Sequence, residues 1–156
     1  MSIDATAQIH PSAVIEPGAR IGAGCQIGPF CWIGARVELA ENVLCSSHVV
    51  IRGQTKIGAE TRIFSFAVIG EIPQDLKFKG EVSQLQIGQR NTIREHVTIN
   101  LSTEGGGGVT SIGDDCLLMA GCHIAHDACL GNRVIIVNSA AIAGHVIIED
   151  DVIVGG

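Results

Sequence analysis

A chain of 156 residues, 46% of them hydrophobic, is long enough to bury one sizeable core, yet only 3% of it is aromatic, with no Tyr and 20 Gly. Many small, similar residues must therefore fill that core in place of aromatic bulk, which is how repeat proteins pack. A net charge of −6 with 10 scattered Lys and Arg argues against a nucleic-acid partner, and no apolar run approaches the roughly 18–20 residues of a bilayer span, so no membrane insertion is expected.

In chain order, the dominant feature is a six-residue beat of aliphatic side chains. It begins at Ile3, which leaves no room for a leader segment and predicts a cytoplasmic location. The first run continues through Ile9, Ile15, Ile21, Ile27, Ile33, Leu39, Ile51, Ile57, Ile63 and Ile69, with Cys45 filling the one gap. It resumes in phase at Ile87, Ile93 and Ile99. A second run, one residue out of phase, goes Ile112, Leu118, Ile124, Leu130, Ile136, Ile142, Ile148 and Val154. Such a beat fits short parallel strands wound round a triangular prism, one hexad per side and 18 residues per coil. The aliphatic and the small residue four positions later point inward, and residues 18 apart stack at roughly 4.8 Å. The predicted class is all-β, a parallel β-helix forming one domain over residues 1–156. Crossovers between parallel strands are usually right-handed, and the beat alone does not choose the hand.

Gly22, Gly28, Gly34, Gly58, Gly70, Gly88, Gly113 and Gly131 directly follow beat aliphatics, as expected of corners that tolerate side chains poorly. Cys25, Cys31, Cys116 and Cys122 fall on the small inward position and Cys45 on a beat position, so they read as reduced structural thiols. Two stretches leave the beat. Residues 71–86 lack it and read as a loop that leaves one corner and returns in register. Residues 100–111 carry Gly105-Gly106-Gly107-Gly108, which by itself reads as a flexible tip. The chain stops mid-hexad at Gly155-Gly156 without a polar cap, so it reads as a piece of a longer protein.

Chemistry concentrates at Gly121-Cys122-His123-Ile124-Ala125-His126-Asp127. Gly144 lies 18 residues after His126 and must stack on it, with His145 beside it. His10, His48 and His96 lack such company and read as surface residues. Two chemistries fit the cluster. Imidazoles bind zinc or iron, although no Cys is free to join them. Alternatively, a His oriented by a carboxylate removes a proton from a hydroxyl while a glycine N–H stabilises an oxyanion, and His126, Asp127 and Gly144 fill those roles by register.

The segment His123-Ile124-Ala125-His126-Asp127 with Gly131-Asn132-Arg133 resembles the active-site coil of the UDP-N-acetylglucosamine O-acyltransferases of lipid A biosynthesis. Gly70-Glu71-Ile72-Pro73-Gln74-Asp75-Leu76-Lys77-Phe78, Ser47-His48-Val49-Val50, Gly53-Gln54-Thr55-Lys56-Ile57-Gly58 and Ala143-Gly144-His145 resemble the same family. The resemblance implies a left-handed β-helix, a homotrimer with sites between neighbouring prisms, and transfer of a 3-hydroxyacyl chain from acyl carrier protein to the sugar 3-hydroxyl. It makes His126 the general base, Asp127 its orienting partner and the Gly144 N–H the oxyanion donor. Gln74, Asp75, Lys77, His123 and His145 would line the substrate site, and no metal or cofactor is implied. Asn100 stands where the family often has His, so it keeps hydrogen-bonding capacity for substrate but no ionic role. The family's final coils and helical C-terminal domain have no counterpart in these residues. Rival readings are a γ-class carbonic anhydrase-like metalloenzyme, another hexapeptide acyltransferase, and a purely structural solenoid. The last leaves His123, His126, Asp127 and the two excursions unexplained.

Overall fold

The computed structural model describes residues 2–156, and they form a left-handed parallel β-helix of triangular section. Face one stacks eight strands from Ser2–Ile3 to Ile147–Ile148, and face two stacks eight from Gln8–Ile9 to Ile153–Val154. Face three stacks seven, from Val14–Ile15 to Ala141–Ile142. Every pairing is parallel and joins residues one coil apart, as Ile3 joins Ile21 and Ile124 joins Ile142.

The beat residues supply the interior as their spacing requires. Ile33, Ile51, Ile69, Ile99 and Ile124 are wholly buried, with Val37, Val49, Ala67, Val97 and Ala128 filling the small position between them. One continuous core results. Asn91 enters it with both ends of its amide partnered: the nitrogen donates to the Gly113 carbonyl and the oxygen accepts the Cys116 N–H. All six cysteines are free, and five are buried. Burial raises the thiols of Cys25, Cys31, Cys45 and Cys116, and pushes that of Cys122 up to about 12. Cys129, which the phase of the beat does not explain, is exposed on face one.

Glycine plays a different part from the one its position suggests. The left-handed residue of each turn comes third after the aliphatic and is mostly not glycine: Phe30, Asn42, His48, Asp127 and His145 all have φ between 57° and 63°. Among the glycines that follow aliphatics, only Gly70 has positive φ. The others allow close stacking of coils, as at Gly58, where a Cβ would sit 2.5 Å from the Gly88 carbonyl.

Each corner therefore displays a vertical column of side chains. The corner from face one to face two carries charge: Arg90 grips Asp115 and Arg133 grips Asp151, each through two hydrogen bonds. The corner from face two to face three carries rings, Phe30, His48, Phe66 and His96, with successive centroids 5.0, 5.0 and 5.1 Å apart. His48 and His96, read from sequence as isolated, are rungs of that stack. The third corner, from face three to face one, is where both excursions leave. Strands Val68–Glu71 and Gln84–Ile87 confine the first to residues 72–83. Thr98–Asn100 and Val109–Ile112 confine the second to 101–108. Both are shorter than 71–86 and 100–111, because the strands lengthen beside the insertions. No helix among the described residues is long and apolar enough to cross a membrane.

Candidate active site

The same third corner holds the chemical residues, one and two coils beyond the excursions. After Ile124 buries itself in the core, the chain turns through Ala125, His126 and Asp127. One coil later Ile142, Ala143, Gly144 and His145 repeat the turn, and the His145 N–H donates to the His126 carbonyl at 3.2 Å. Gly144 stacks on the His126 ring so closely that a Cβ would lie 2.7 Å from Cε1 and 2.9 Å from Nε2. Its own N–H has no partner among the described residues.

Asp127 is the fixed point. Its side chain is wholly buried and its Oδ2 lies 2.7 Å from His126 Nδ1. The Thr103 N–H donates to Oδ1 at 2.8 Å and the Thr103 hydroxyl to Oδ2 at 2.7 Å. The Asp127 N–H donates to the Thr110 hydroxyl. Burial pushes the carboxyl up, but hydrogen bonds from His126 and Thr103 outweigh it and hold the group below the usual carboxylate range. An ionised carboxylate at Nδ1 places the imidazole proton there and leaves the Nε2 lone pair free, the state a general base needs. His145 meets His126 edge-on, centroids 5.2 Å apart, with its Nε2 3.7 Å from Asp127 Oδ2.

The glycine run is not a free tip. Thr103 caps a short 3-10 turn, Glu104–Gly106, and this turn presses Gly106 onto the Asp127 carboxyl where a Cβ would overlap it. Thr103 and Thr110 went unseen in the sequence; the available sign was a Thr two residues before the Gly-rich run, the usual place of a cap. The first excursion comes alongside. Asp75, Lys77, Phe78 and Glu81 share a cleft of about 340 Å³ with Thr103, Glu104 and His145. Asp75 spends Oδ1 on the Lys77 N–H, which leaves Oδ2 for a ligand.

Three expected residues stand apart from this cleft. Gln74 is exposed and does not line it. His123 lies half-buried on face three, bonded to the Thr98 hydroxyl at 2.7 Å; burial, and then the neighbouring His126, lower its pKa. Asn100 was expected to bind substrate, but it is buried with its Oδ1 unpartnered, because its strand continues under the second excursion instead of opening to the cleft.

His126, Asp127 and His145 offer ligand atoms within 4.8 Å of one another, close enough to consider a metal. Both Asp127 oxygens, however, already accept three donors between them. Both lone pairs of Oδ2, the oxygen nearest the two imidazoles, are already taken, so the set fits a proton relay better than a metal cage.

The pattern of the bacterial transferase hexapeptide family (six repeats) matches residues 2–35, 12–47 and 110–144. The chain belongs to that family. The chain is 67% identical, over 94 residues, to the acyl-[acyl-carrier-protein]–UDP-N-acetylglucosamine O-acyltransferase of Paracoccus denitrificans; the match covers 60% of the chain and 36% of that relative. Among solved structures it resembles the UDP-N-acetylglucosamine acyltransferase from Campylobacter jejuni, with 45% identity and a TM-score of 0.91 over 96% of the chain and 58% of that protein. The Arabidopsis UDP-N-acetylglucosamine acyltransferase matches at 37% identity and a TM-score of 0.74 over 92% of the chain and 57% of that protein. The chain thus spans less than two thirds of the length of these relatives.

Proposed function

We propose that this chain carries the catalytic coils of an acyltransferase that moves a 3-hydroxyacyl group from acyl carrier protein to the 3-hydroxyl of UDP-N-acetylglucosamine, the first step of lipid A biosynthesis. The observation that carries the reading is the His126–Asp127 dyad with an open Nε2 directly beneath an unpartnered Gly144 N–H. Nε2 takes the proton from the sugar hydroxyl as its oxygen attacks the thioester carbonyl. The Gly144 N–H donates to the oxyanion of the tetrahedral intermediate. Collapse breaks the carbon–sulfur bond, and the imidazolium returns its proton to the departing thiolate. Asp75 accepts from sugar hydroxyls and Lys77 supplies a cation for a phosphate oxygen. His145, which shares the cleft with Asp75 and Lys77, flanks the bound substrates.

A homotrimer goes with this reading. Val14 and Trp32 on face three and Phe30 and Phe66 on the adjoining corner are exposed, apolar surface that a neighbouring prism would cover. A cytoplasmic location also fits, since five buried free thiols suit a reducing compartment. The test is an assay of the complete protein with UDP-N-acetylglucosamine and 3-hydroxyacyl carrier proteins. The expected result is ester formation that is lost in His126→Ala; turnover retained in that variant removes the base role. The close His126, Asp127 and His145 ligand atoms favour one second reading, a metalloenzyme of the γ-carbonic anhydrase kind. Stoichiometric zinc or iron in purified protein, with carbon dioxide hydration, would establish that reading instead.

A further inference from the structure

We propose that Thr103 is a positioning residue that sets the proton location on His126, an inference that rests on the acyl-transfer reading above. Four groups form a continuous hydrogen-bond chain. The Gly106 N–H donates to the Thr103 hydroxyl at 3.2 Å, and that hydroxyl donates to Asp127 Oδ2 at 2.7 Å. The same oxygen accepts from His126 Nδ1 at 2.7 Å. The Thr103 N–H takes Oδ1 at 2.8 Å, so one residue grips both carboxylate oxygens and fixes the plane in which His126 must lie.

The direction of each bond matters. Because the Gly106 N–H occupies a lone pair of the hydroxyl, the Thr103 proton points at Asp127. Three donors disperse the carboxylate charge and make it a poor acceptor for the proton that His126 collects. That proton then stays on the imidazole, available to the leaving thiolate, instead of passing to Asp127. Gly106 is part of the device, since any side chain there would overlap the carboxyl. The second excursion thereby has a role that does not require contact with substrate: it closes over Asp127 and keeps it dry and oriented.

Thr103→Val keeps the shape and β-branching but removes the hydroxyl, whereas Thr103→Ser keeps both bonds. In the complete enzyme, Thr103→Val is expected to lower kcat by about 10–100-fold with little change in KM for the sugar nucleotide. It should also move the acidic limb of the kcat/KM profile to higher pH, because a less compensated Asp127 favours protonated His126. Thr103→Ser should restore both. A loop that merely supports the fold would alter stability or KM and leave the pH profile in place. A wild-type kcat and profile in Thr103→Val, beside an inactive His126→Ala, would overturn the role of Thr103 alone. An active His126→Ala would instead overturn the acyl-transfer reading. A measurement on the unmodified protein does not depend on any variant folding: nitrogen NMR of His126 should find the neutral ring protonated on Nδ1, and a proton on Nε2 would refute the chain.

Discussion

Two corners of the same prism are built by the same turn yet do different work. At the ring corner, Phe30, His48, Phe66 and His96 occupy the left-handed position in successive coils and simply stack, Phe66 and His96 lying within 7° of parallel. At the third corner, Asp127 and His145 occupy that position with φ of 61° and 63°. Stacking there is interrupted by two insertions; the Asp127 carboxylate turns inward to bond His126 and Thr103, while His145 stays exposed beside it. A histidine in a regular column meets only the rung above and below it, both exposed. A histidine beside an insertion meets a buried carboxylate held by a third residue. What converts a repeat position into a chemical one is the loss of repetition at a neighbouring coil, which supplies donors and excludes water from one side.

That contrast can be tested at graded cost. The largest expected effect is on His126→Ala, about 10²–10⁴-fold in kcat for the complete enzyme with its melting temperature kept, while His48→Ala or His96→Ala leaves kcat unchanged. Comparable losses at all three would dissolve the distinction. Gly144→Ala comes next: a Cβ 2.7 Å from His126 Cε1 must move the ring or the coil, and a loss near 10²-fold in kcat is expected, measured in the same assay.

Acid should separate His123 on face three from Asp127 at the third corner by stability. The His123 pKa is lowered in the fold, so the unfolded chain binds the proton more readily; its share of stability is intact above ~6.5 and declines as pH falls through that value. The Asp127 pKa is lowered too, so its contribution is present above ~3.9 and disappears as pH drops through the folded value. Melting temperature against pH should therefore fall in two steps, and His123→Gln should remove the upper one. The smallest effect belongs to Phe66→Ala. Loss of two ring contacts costs about 0.5–1.5 kcal/mol, a few degrees in the melting temperature.

Much of this contrast is legible in the residues. Gly144 lies on His126 because 18 residues separate them, and His145 follows by the same count. Ile69 to Ile87 is three beats, which returns the first excursion in register. Thr103 was hidden because it reaches Asp127 across 24 residues that include the out-of-phase insertion, where counting by hexads no longer applies. The burial of Asn100 was hidden for the same reason: beside an insertion the strand runs on, and the residue that would face outward is covered.

By itself the sequence determined the prism, its one-hexad sides, the inward aliphatics and the corner on which His126, Asp127 and His145 meet. Those follow from a short-range period that every coil repeats, so local spacing maps onto space by simple stacking. Only the tertiary structure decided that both excursions fold back onto that corner, that Thr103 and Gly106 seal Asp127, and that Gln74 and Asn100 stand outside the cleft. The loops have no period, and their course is set by which buried polar group most needs a partner. Here that group is the Asp127 carboxylate, held charged inside the protein by the donors that Thr103 of the second excursion brings beside His126.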